Sequence, residues 1–77
     1  MYKTFEVFEK LLEERGLTPY KVSKATNVST STLTDWKNAV YEPKLEKLIL
    51  IADYLEVPVD VFIQAKREDM KNETGSE

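Results

Sequence analysis

The chain has 77 residues, a net charge of −3 and neither cysteine nor histidine. A chain this short makes one small domain that buries only about 60% of its unfolded surface. The missing residues exclude disulfides, thiolate metal sites and the commonest general base, which leaves little room for catalysis. No apolar run reaches the roughly 20 residues of a membrane span, and the N-terminus lacks the apolar core of a signal peptide. The expected setting is cytoplasmic.

From about Thr4 to Arg15, Phe5, Phe8, Leu11 and Leu12 fall on one helical face. Gly16 follows as a left-handed C-cap, and Leu17 returns to the core. Glu13 and Glu14 lie outside any apolar pocket that would separate their pKa values, so they read as a solvated face.

Thr18 to Lys37, TPYKVSKATNVSTSTLTDWK, is the stretch that organises the rest. Thr18 is placed to cap a helix and Pro19 to open it, where its missing N–H costs nothing. Val22, Ala25 and Thr26 are expected inward, with Tyr20 and Lys24 outward and Ser23 between the two faces. Asn27 tolerates the left-handed conformation and turns the chain without a loop. Val28 points inward, Ser29 caps again, and Leu33 with Trp36 repeats the apolar i, i+3 pair. This is a helix, a tight turn and a second helix.

A connection punctuated by Pro43 leads to a fourth helix from Lys44 to about Leu55. Its expected apolar face is Leu45, Leu48, Ile49, Ala52 and Leu55, with Ile51 at the edge. Val57 to Ile63 reads as a turn and a short fifth helix, Pro58 at or near its start. The polar lettering from Lys66 on predicts a disordered tail. The expected fold is all-α: a compact five-helix bundle over residues 1–65, with a C-terminal tail over 66–77.

The second helix of the pair carries short polar groups outward. Ser31, Asp35 and Asn38 lie opposite Leu33, with Thr34 on the shoulder, and long Glu–Lys pairs are missing. Such groups suit base edges in a DNA major groove, which admits one α-helix; the same letters also describe a plain solvated face. Lys21, Lys24, Lys37 and Lys44 make this stretch locally positive against Asp35 and Glu42, while the remaining acids lie mostly on either side of it.

Phe5 to Ile63 resembles the helix-turn-helix family of phage repressors and Cro proteins. The ordered set Val22-Ser23, Asn27-Val28, Leu33, Trp36-Lys37-Asn38, Pro43 and Leu48 to Phe62 carries the likeness. The resemblance implies a five-helix bundle that binds double-stranded operator DNA, usually as a symmetric dimer, with the helix around Thr30–Asn38 in the major groove. By position, Thr30, Ser31, Asp35 and, less directly, Thr34 match base-reading residues. Thr18 and Asn38 match phosphate-contacting positions. Tyr41 and Lys44 would lie near the same backbone, and Lys24 and Lys37 join them through the locally basic face. Pro19 replaces a Gln that commonly clamps a phosphate, a role left to Tyr20 or Lys21. Ala39 replaces the Gly that commonly closes the recognition helix, so a different cap is expected there. No Gln or Arg stands on the central recognition face.

Weak single-copy binding would call for a second copy. Leu50 and Tyr54 form an exposed apolar pair on the fourth helix, and Val61 and Ile63 cannot both be buried alongside Val59 and Phe62. A weak homodimer through Leu50, Tyr54, Val61 and Ile63 is one reading; ordinary scattered exposure is the other. Two function classes remain: a sequence-specific transcriptional regulator, a repressor as the resemblance implies, and an antitoxin-like or adaptor module that keeps the fold without reading DNA. Neither needs a cofactor, a metal or a small-molecule site.

Overall fold

A computed structural model describes the backbone of residues 1–74 and the side chains of residues 1–70. Five helices follow one another: α1 Lys3–Arg15, α2 Pro19–Thr26, α3 Thr30–Lys37, α4 Leu45–Leu55 and α5 Asp60–Thr74. No strand occurs among the described residues. α1 packs on α5, and α2 packs on both α3 and α4.

The local signals act where the sequence places them. Thr18 Oγ1 accepts the Lys21 N–H at 3.3 Å, with Pro19 at the start of α2. Ser29 Oγ accepts the Thr32 N–H at 3.1 Å and opens α3. Asn27, at φ 63°, supplies the left-handed turn between them. Gly16 closes α1 in the same conformation, where Leu17 N–H bonds Leu12 O and Gly16 N–H bonds Glu13 O.

α3 is set by Trp36, which is fully buried. Its ring meets Phe5 edge-on at 5.3 Å, lies 4.8 Å from Phe8, and is 6.2 Å from Phe62. One side chain of α3 is thus gripped by two residues of α1 and one of α5. Trp→Ala at such a site costs about 3–5 kcal/mol, a large share of the roughly 5–15 kcal/mol that holds a domain together. Leu33, Val22, Val28, Leu48, Ile51, Ala52 and Leu55 complete the core around it.

Four expectations need correction. Ala25 is exposed. α2 turns Val22 fully inward with Ser23 and Thr26 half-buried beside it, so its contact line runs between those residues and leaves Ala25 behind. On α4, Leu45 and Ile49 are 48% and 46% exposed, whereas Ile51 is fully buried. The buried line there is Leu48, Ile51, Ala52 and Leu55, rotated from the expected face toward α2. α5 continues past residue 65 to Thr74, so the expected boundary of the tail falls inside a helix. Ala65 is buried, Lys66 pairs with Glu42 at 3.6 Å, and the Asp69 carboxylate accepts the Lys3 N–H at 3.0 Å. The last of these caps α1, whose own N-cap Tyr2 offers no side-chain bond. Residues 75–77 of the expected tail lie outside the described residues.

The fourth correction concerns Ala39. It keeps the left-handed geometry of a glycine cap, at φ 59°. Val40 N–H bonds Asp35 O at 2.8 Å and Ala39 N–H bonds Trp36 O at 3.1 Å, the paired bonds of a Schellman motif. The cap is the usual one, held by a residue whose Cβ disfavours it. Glu56 does the same at the end of α4, at φ 60°.

Candidate nucleic-acid interface

The expected site residues lie on α2, α3 and the connection after α3. Because Leu33 and Trp36 take the inner side of α3, Thr30, Ser31, Thr34 and Asn38 are exposed and Asp35 is half-buried. Thr30 and Thr34 stand one turn apart on the side of α3 toward α1. They border a shallow cleft of about 180 Å³ with Phe5, Phe8, Pro19, Leu33 and Lys37. Ser31, Asp35 and Asn38 follow at the i, i+4, i+7 spacing of the adjoining face. The result is one exposed strip of hydroxyls, one carboxylate and one amide, without a long side chain except Lys37 at its end.

Around this strip sit the residues expected at phosphates. Thr18 is exposed at the N-terminus of α2, its oxygen occupied by the Lys21 N–H. Tyr20 is 62% exposed, and the Lys24 ammonium lies over its ring at 5.7 Å. Lys21, Lys37 and Lys44 are exposed, and none of the four lysines of this stretch takes part in an ion pair among the described residues.

The connection after α3 dips inward at its middle. Val40 and Tyr41 face outward, Glu42 is turned in and Pro43 is buried, and Lys44 faces outward again. Glu42, with only 17% of its side chain exposed, accepts a short hydrogen bond from the Thr4 hydroxyl and pairs with Lys66. Thr4 Oγ1 in turn accepts the Trp36 indole N–H at 3.0 Å. One of the two acids in the basic stretch is therefore engaged by Thr4 and Lys66, which leaves half-buried Asp35 as the acid on the α3 strip. Sequence reasoning missed Thr4 and Glu42. The available signal was a Thr one residue before an aromatic stripe, and a buried Trp whose N–H must find a partner.

The four residues expected at a dimer contact divide into two kinds. Leu50 and Tyr54 are 49% and 37% exposed on α4, while Val61 and Ile63 are half-buried on α5. Leu45 and Ile49 add exposed apolar surface on the other flank of α4, separated from the first pair by Glu46 and Asp53. No helix among the described residues is long and apolar enough to cross a membrane, and no group of acids there could hold a metal ion.

No curated protein and no solved structure matches the chain. A helix-turn-helix family model matches residues 8–62, from the middle of α1 to Phe62, and so spans the whole α2–turn–α3 unit and its supporting core. The chain therefore belongs to the helix-turn-helix family of the phage repressor and Cro type, a family of DNA-binding transcription regulators.

Proposed function

We propose that this protein is a sequence-specific transcriptional repressor that binds a palindromic operator as a weak homodimer. The observation that carries the proposal is the strip of exposed Thr30, Ser31, Thr34 and Asn38 with half-buried Asp35, on a helix anchored from behind by Trp36. Its short groups donate and accept at distances a major groove allows. Asp35 is suited to accept from a cytosine amino group and to penalise other registers by repelling phosphate. Thr18, Tyr20, Lys21, Lys24, Lys37, Asn38, Tyr41 and Lys44 ring the strip as phosphate contacts, which set register and most of the salt dependence.

Pro19 cannot supply a phosphate clamp, and the strip lacks the bidentate Arg or Gln of strong readers. One copy is accordingly a modest binder. Leu50, Tyr54, Val61 and Ile63 offer the apolar surface for a second, and the half-sites then lie about 34 Å apart, one turn of DNA.

The exposed aliphatic flanks of α4 and the net acidity favour a second role, an antitoxin-like or adaptor module whose partner is a protein. Titrating isotopically labelled protein with duplex DNA separates the two. The DNA role requires amide shifts concentrated on α3, on Thr18–Lys24 and on residues 40–44, weakening as salt rises. Shifts absent there, or scattered without regard to salt, support the adaptor role.

A further inference from the structure

Resting on the DNA-binding function proposed above, we infer that Glu42 is a positioning residue for DNA recognition: it is a half-buried acid, tied inward, that orients the backbone-contacting side chains Tyr41 and Lys44. An acid next to a polyanion site ordinarily weakens it, so the placement of Glu42 calls for a reason. Its side chain is directed inward between two neighbours that face outward, Tyr41 before it and Lys44 two residues after.

Two elements hold that carboxylate directly, and a third braces one of them. The Thr4 hydroxyl of α1 donates to Oε2, and the Lys66 ammonium of α5 lies 3.6 Å from Oε1. Thr4 is itself held by the Trp36 indole N–H, at 3.0 Å, from α3. The connection is thus tied to the helix that reads DNA through one continuous chain, Trp36 to Thr4 to Glu42 to Lys66. Pro43 adds a second inward peg, fully buried, that fixes its own backbone angle. With Glu42 and Pro43 both docked, the segment is pinned at its middle, which fixes the backbone from which Tyr41 departs on one side and Lys44, at φ −73°, ψ 165°, on the other. The same chain sets their height relative to the α3 strip, because Trp36 is the inner anchor of the helix that carries it.

Removing an acid has opposite consequences under the two accounts. By charge alone, Glu42→Ala raises affinity for DNA. By loss of position, it lowers affinity and releases a phosphate contact. The test is fluorescence anisotropy on wild type, Glu42→Ala, Glu42→Gln, Lys44→Ala and Glu42→Ala/Lys44→Ala. The probes are a duplex enriched from a random pool and a random-sequence duplex of equal length, at several salt concentrations and well below each melting temperature. Glu42→Ala is expected to weaken binding to both duplexes on the order of tenfold and to lower the log–log salt slope by about 0.9, the value of one lost phosphate contact. Glu42→Gln, which still accepts from Thr4, is expected to keep most of the slope. The double variant is expected to lose little beyond the worse single variant, because both act at one contact. Thr4→Val changes no charge and is expected to lower the slope in the same way; it decides the matter if Glu42→Ala does not fold. Unchanged or tighter binding by the folded variants, or full additivity with Lys44→Ala, overturns the assignment. Wild type that binds neither duplex overturns the DNA-binding function itself, and the positioning role with it.

Discussion

The indole N–H of Trp36 donates to the hydroxyl of Thr4 at 3.0 Å, with both residues fully buried. This bond joins the helix proposed to read DNA to the first turn of the chain, 32 residues away. Thr4 then donates onward to Glu42, so one hydroxyl satisfies a buried donor and a nearly buried carboxylate at once. Thr4→Val, close in shape, strands both partners. A buried group left unpaired costs about 1–3 kcal/mol. At roughly 4–8 °C per kcal/mol for a domain of this size, the expected loss is visible in a thermal melt followed by Trp36 fluorescence. An unchanged melting temperature would mean that the bond contributes nothing.

Two of the left-handed caps without glycine, Ala39 and Glu56, predict gains in stability. Ala39 and Glu56 hold φ near +60°, a conformation that costs an L-residue roughly 1–2 kcal/mol, partly offset by the greater entropy glycine loses on folding. Ala39→Gly is expected to stabilise the protein by about 0.5–1 kcal/mol, and Ala39→Val to destabilise it. The check is urea denaturation, in which the midpoint moves while the slope with urea stays constant. A lower midpoint for Ala39→Gly would contradict the strain.

Base readers and backbone contacts are expected to fail differently. Ser31→Ala and Asp35→Ala should relax preference at particular base pairs, with changes of about 1–3 kcal/mol between right and wrong bases. Lys21→Ala and Lys44→Ala should weaken binding evenly across sequences and each lower the salt slope by about one. Binding curves on a panel of single-base variants at two salt concentrations separate the classes. Uniform weakening by Asp35→Ala would move that residue out of the reading set.

Self-association is tested at the apolar surface of α4 and α5. Leu50→Glu and Ile63→Glu each place a charge in the proposed contact and should shift sedimentation toward monomer while lowering operator affinity. Because Ile63 is half-buried, Leu50→Glu is the cleaner of the two. Sedimentation and affinity that both stay at wild-type values would remove this surface as the interface.

Much of the fold was legible because its determinants are local. Thr18, Pro19, Asn27 and Ser29 act on backbone within three residues of themselves, so their identities announce the turn. Trp36 and Leu33 were legible through spacing, and their burial leaves the strip from Thr30 to Asn38 facing out. What spacing could not resolve was rotation. Leu45, Ile49 and Ile51 are similar in hydropathy, and only the position of α2 against α4 decides that Ile51 is buried and the other two are not. Nor could lettering show that Lys66 and Asp69 are tied down, since their partners, Glu42 and the Lys3 N–H, are distant in sequence. A polar run looks like a tail until something far along the chain binds it. Glu42 escaped notice for the same reason: its role depends on Thr4 and Lys66, neither of which is near it in sequence.

The central claim is that α3 presents a base-reading face to a two-fold operator. Its most direct test is selection of bound duplexes from a random pool, run at two salt concentrations on wild type and on Asp35→Ala. The account predicts a palindromic consensus with half-sites one helical turn apart, a log–log salt slope of several units, and degeneracy at a symmetric pair of positions in the variant. A pool that stays random for wild type, or a consensus identical for wild type and Asp35→Ala combined with indifference to Ser31→Ala, would contradict it.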